Sequence, residues 1–104
     1  MRRTLYHVTP SRNLQAIAAE GIDPGMGRGR LIGCYWVTEA QLLWAIFHVS
    51  ARHHVACDAL VVYSGWFDAN MLVRTGREGV FRVTERVQPN DVFPITRLIG
   101  LDEI

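Results

Sequence analysis

The chain contains no lysine: all 11 of its Lys-plus-Arg positions are arginine. A bias toward GC-rich codons accounts for that absence better than a functional demand does, although each arginine still offers a planar fork for phosphate or carboxylate. Charge of either sign is scarce in balance. The net formal charge is +1, so no overall field demands a nucleic-acid partner. Cysteine is scarce as well, with Cys34 and Cys57 both set among apolar residues. Both are expected to be buried and reduced rather than bridged. A zinc site is not expected, because His48, His53 and His54 are spaced by five and six residues and do not share a helix face. There is no run of about eighteen apolar residues, which excludes an evident membrane helix. The opening Met1, Arg2, Arg3 and Thr4 lack the apolar stretch of a secretory signal, so a cytoplasmic protein without a membrane partner is expected.

What is present suffices for one domain. The 104 residues are 49% hydrophobic. A chain of this length buries roughly 65% of the surface its unfolded form exposes, so it needs neither disulfide nor metal to build a core. No internal repeat or linker divides it, and residues 1–104 are read as a single domain.

Along the chain, "LYHV" at residues 5–8 reads as a strand, followed at once by a helix. Thr9 is placed to cap that helix and Pro10 to occupy its first turn. Leu14, Ile17 and Ala18 share a face, and Gly21 supplies the stop. "DPGMGRGRLIG" at residues 23–33 carries four glycines and one proline, a loop rather than an element. "CYWVT" at 34–38 reads as a strand, residues 39–54 as a largely buried helix, and "DALVVYS" at 58–64 as a central strand. Residues 67–77 read as a loop with a short strand or turn near 71–73. "GVFRVTERV" at 79–87 alternates like a strand, and a last short strand falls within 92–100. Strands and helices mix without regular alternation, which argues for an α+β fold.

Three places join polar groups to strand ends: His7 with Thr9, Tyr35 beside Gly33, and Glu78 between Arg77 and Gly79. Taken singly, each residue type is commoner in a structural role. Their order and setting are more specific. "LYHVTPSRNLQAIAAEGI" carries a hydrophobic strand, a His, a hydroxyl residue, an Asn-containing helix and a closing Gly-Ile. "GCYWVT" then gives a Gly-x-Tyr strand leading into "LLWAIF", and Glu78 opens a strand nine positions before Val87. In these features the chain resembles the ADP-ribosyltransferase superfamily, specifically the His-Tyr-Glu branch that includes diphtheria-toxin-like and poly-ADP-ribose polymerase catalytic domains.

The resemblance spans nearly the whole chain. It implies a minimal fold of small split mixed or antiparallel sheets with two main helices. It also implies NAD as co-substrate and transfer of ADP-ribose to a macromolecular acceptor, protein or nucleic acid, as toxins and phage effectors of this superfamily do. An antitoxin or immunity protein would then be a natural partner. On this resemblance His7 bonds a ribose hydroxyl with help from Thr9, Tyr35 stacks on nicotinamide, and Glu78 stabilises the positive sugar as nicotinamide leaves. Arg28 and Arg30 are candidates to grip the pyrophosphate. Glu85 is the alternative carboxylate, but only two residues separate it from the "QPND" turn, too late to open the strand. Gly76, two residues before Glu78, speaks against the arginine-modifying branch. Two other functions compete: a non-catalytic module of the same fold that binds NAD or a partner, and an RNA 2′-phosphotransferase. The latter normally carries a basic N-terminal winged-helix region, which is not expected where His7 is the seventh residue.

Overall fold

A computed structural model describes residues 2–22 and 34–95. The loop expected over 23–33, with Arg28 and Arg30, and the chain after residue 95 lie outside the described residues. The element order is β1 (Arg2–Pro10), α1 (Leu14–Glu20), β2 (Cys34–Val37), α2 (Leu42–His53), β3 (Leu60–Asp68), β4 (Val73–Arg74), β5 (Val80–Val83) and β6 (Phe93–Ile95). The fold is α+β, as expected.

The strands form one sheet in the order β4-β5-β2-β1-β3-β6, and every pairing in it is antiparallel. This replaces the expected split or mixed sheets. β1 pairs with β3 along its whole length, from Arg2 with Asp68 to Pro10 with Leu60. It meets β2 at a single pair, Tyr6 with Val37. The two halves of the sheet are therefore joined at a narrow waist between β1 and β2.

Alternation along the strands sends successive side chains to opposite faces. On one face Val8, Val37, Val62 and Val80 pack under Leu42, Ala45 and Ile46 of α2. Those helix positions recur at i, i+3 and i+4, so one stripe of α2 meets the sheet. Burying each valine, leucine or isoleucine side chain here contributes about 1.5–3 kcal/mol. On the other face Leu5, Trp36, Tyr63, Phe67 and Val83 pack with Ile17 of α1 and with Ile22, Val87 and Val92 from the connecting turns. Both faces are thus covered, which is why Val80 and Val83 of β5 are both buried.

Several local expectations are corrected. Pro10 ends β1 rather than opening a helix, and a 3-10 turn, Ser11–Asn13, precedes α1 without any side-chain cap. Cys57 is exposed in a 3-10 turn after α2, not buried, whereas Cys34 is half-buried; neither is in a disulfide among the described residues. β3 runs on through Asp68, and the short strand falls at Val73–Arg74. β5 ends at Val83, so Glu85 stands in a bend outside it. Among the described residues no helix is long and apolar enough to cross a membrane.

Candidate functional site

His7 lies at the waist of the sheet. Its Nδ1 is 2.8 Å from the Tyr35 carbonyl oxygen, across the gap where β1 and β2 no longer pair through their backbones. A carbonyl only accepts, so Nδ1 carries the proton, and in the neutral ring Nε2 presents a lone pair. Nε2 has no hydrogen-bond partner among the described residues. The ring also meets Trp36, at 5.3 Å between centroids, and Trp36 meets Phe67 edge-on at 4.7 Å. Trp36 is 0% exposed, and its indole Nε1 is buried without a hydrogen-bond partner among the described residues. Such an orphan donor costs about 1–3 kcal/mol. The aromatic contacts, each about 0.5–1.5 kcal/mol beyond area burial, offset it.

Burial pushes the His7 pKa below its ordinary value of 6.5, and the Tyr35 carbonyl, which favours the protonated ring, opposes that shift without overcoming it. The unfolded chain therefore binds this proton more tightly than the folded one. The contribution to stability is complete above about pH 6.5 and is lost as pH falls from there through the lower folded value. Urea unfolding at pH 7.5 and pH 5.0 checks this: the wild type is expected to lose more stability over that interval than His7→Gln, which cannot titrate. Equal losses would show that His7 does not titrate in a desolvated setting.

Thr9 is buried, and its Oγ1 accepts a hydrogen bond of 2.8 Å from Asn13 Nδ2. It pins the corner between β1 and α1. Tyr35 is 45% exposed. It pairs with Arg82, two residues along from the Val37–Val80 pair, so its ring projects from the same face, the one that carries α2. His7 pairs with Tyr63 and projects from the opposite face. The structure therefore joins His7 to the Tyr35 backbone but sends the two side chains to opposite sides of the sheet.

Glu78 occupies a tight turn just before β5. The Val80 N–H donates to the Arg77 carbonyl at 3.2 Å, and Gly79 has φ +77°. A positive φ confined to the third residue of a four-residue turn marks type II, with Glu78 in the second place. Thr75 braces the turn, its Oγ1 accepting from the Arg77 N–H at 3.2 Å and donating to the Val80 carbonyl at 2.7 Å. The Thr38 N–H donates to the Gly79 carbonyl at 2.9 Å, tying the turn to the end of β2. Glu78 is exposed, and its carboxylate has no ion pair or hydrogen bond among the described residues. Tyr35 pairs with Arg82, four residues after Glu78, so the Gly79 turn and the first two residues of β5 separate the two along the chain.

Three residues that sequence reasoning did not single out surround this turn: Thr75, Gln41 and Trp44. The adjacent Gly79 was the available signal, since a glycine after an isolated Glu marks a turn that presents it. Among the described residues no cluster of three or more His, Cys, Asp or Glu is placed to hold a metal ion. The site is that of an α+β protein with a neutral imidazole at the waist of its sheet and, separately, a carboxylate on a braced turn before β5. Comparison with protein-family models, with curated proteins and with solved structures finds no match.

Proposed function

We propose that the protein is a mono-ADP-ribosyltransferase that cleaves the nicotinamide–ribose bond of NAD and transfers ADP-ribose to a macromolecular acceptor. The observation that carries this reading is the state of His7: its ring is held by the Tyr35 carbonyl with Nε2 left as an acceptor. An acceptor fixed beside a gap in a sheet suits a ribose hydroxyl, which must donate. Glu78 supports the reading from its own place, as an exposed carboxylate on a rigid turn at the entry to β5. Cleavage of an N-glycosidic bond passes through an oxocarbenium-like state, as glycoside hydrolysis does. Nicotinamide departs with the bonding electron pair as a neutral base, so no general acid is required. The main demand is a fixed negative charge near the developing cation, which Glu78 supplies. The acceptor's nucleophile, or water, then bonds to the same sugar carbon and loses its proton.

One observation favours a second reading, a binding module without turnover. The Tyr35 ring and His7 leave the sheet on opposite faces, so a ligand lying on one face meets only one of the two side chains. A time course of free nicotinamide from labelled NAD, with and without cell lysate, separates the readings. Nicotinamide release with label in the protein or nucleic-acid fraction is expected, and it names the acceptor class. Release without label marks NAD hydrolysis. NAD binding without release in either condition would replace the transferase with the binding module.

A further inference from the structure

We propose that Arg77 and Trp44, with Gln41, form a clamp that positions Glu78; this rests on the reading of Glu78 as the catalytic carboxylate. Arg77 immediately precedes Glu78. Its guanidinium lies over the Trp44 indole, 4.1 Å from the ring centroid, and its Nε donates to Gln41 Oε1 at 3.1 Å. Trp44 is backed by His48, one helical turn on, with the rings stacked at 4.9 Å and 19°. Planar cation, indole and imidazole thus form a ladder fastened to α2. Arg77 is exposed; a free arginine there would sample many rotamers, yet this one commits both its flat face and a donor to the helix.

The clamp acts from one side of Glu78 and the backbone from the other. Gly79 is tied to Thr38, and a Cβ at Gly79 would lie 2.8 Å from both Thr38 Oγ1 and Gln41 Cγ, so the turn rests closely on the segment leading into α2. Gln41 therefore touches both flanks of Glu78. Without the clamp the turn between β4 and β5 keeps its internal hydrogen bonds but loses its side-chain tie to α2, and the carboxylate moves with the turn. A displacement of about 1 Å at a reacting centre can cost on the order of a hundredfold in rate.

The test uses the intact chain with Arg77→Met, Trp44→Leu and Arg77→Lys. Arg77→Met and Trp44→Leu are expected to lower kcat for nicotinamide release by about tenfold to a hundredfold. KM for NAD should stay within about twofold, since an interaction that acts only on the reacting charge leaves ground-state binding alone. Arg77→Lys keeps a cation over the indole and a donor for Gln41, so it should recover most of the rate. Backbone 15N relaxation of Glu78 and Gly79 gives a readout that needs no turnover. Both amides are expected to be rigid in the wild type and in Arg77→Lys, and mobile on the ps–ns timescale in Arg77→Met. Full kcat in Arg77→Met and Trp44→Leu alongside an active wild type would overturn the clamp while sparing the transferase. A wild type that releases no nicotinamide would overturn the transferase, and the relaxation data would still decide whether the clamp holds the turn. Equal rigidity in Arg77→Met would refute it.

Discussion

Glu78→Gln is expected to reduce nicotinamide release by about a hundredfold or more while the Kd for NAD changes by no more than about threefold. Glutamine keeps the shape of the side chain and removes only the charge. A fixed charge acting on a transition state is worth on the order of 10²–10³ in rate when deleted singly. Little binding is lost, because the sugar develops its positive charge only as nicotinamide leaves. The fold should be indifferent, since the carboxylate is exposed and has no partner among the described residues. Melting temperatures of variant and wild type should therefore coincide within a degree or two. Glu85→Gln is the matched control: Glu85 is also exposed but stands in the bend after β5. If Glu85→Gln lost the activity and Glu78→Gln kept it, the catalytic carboxylate would be Glu85. If both retained it, neither carboxylate would stabilise the sugar cation.

The elements legible in the sequence were those with a local signature. The valine and aromatic content of β2, the 3.6-residue stripe of α2 and the apolar run of β3 each announced an element near its observed place. The failures were matters of pairing. The strand read over 58–64 in fact continues past Gly65 through Trp66 and Phe67. The bare Gly65 backbone lets the Trp36 and Phe67 rings come close; a Cβ there would lie 3.1–3.2 Å from them. Thr9 had the chemistry of a helix cap, but its hydroxyl is engaged by the Asn13 side chain instead.

The candidate site was legible in its residues and not in its geometry. His7 and Glu78 stood out by type and setting. Which face each neighbour occupies depends on the β1–β2 register, however, and a slip of one residue would have put Tyr35 on the same side as His7. Arg28 and Arg30 lie outside the described residues and bear on neither question. Trp44 was hidden for another reason. In "LLWAIFHV" it merely widens an apolar stripe, and its contact with Arg77, 33 positions away, arises from the packing of the β4–β5 turn against α2.

Gly21→Ala is expected to be the most damaging single substitution for the fold, by about 3–5 kcal/mol. Gly21 ends α1, its N–H donating to the Ile17 carbonyl at 2.8 Å, with φ +78° and ψ −162°. That region of backbone space is essentially closed to any residue with a side chain. Space is lacking too, since an alanine Cβ would lie 2.0 Å from the Val87 carbonyl oxygen. That oxygen cannot move away without loss, because it accepts from the Ile22 N–H at 2.8 Å while the Val87 N–H donates to the Ile22 carbonyl at 3.0 Å. Ile22 and Val87, both buried, form an isolated antiparallel β-bridge outside the named strands, and both belong to the core that holds Trp36 beneath His7. Total stability for a small domain is about 5–15 kcal/mol, so the variant should melt well over 10 °C below the wild type. Gly76→Ala provides the contrast: nothing lies within 4 Å of a Cβ there and its φ is not positive, so it should be neutral or slightly stabilising. Thermal unfolding of the two variants side by side decides the matter. A Gly21→Ala chain that melts with the wild type would mean that α1 does not turn into the Ile22–Val87 bridge through a glycine of positive φ.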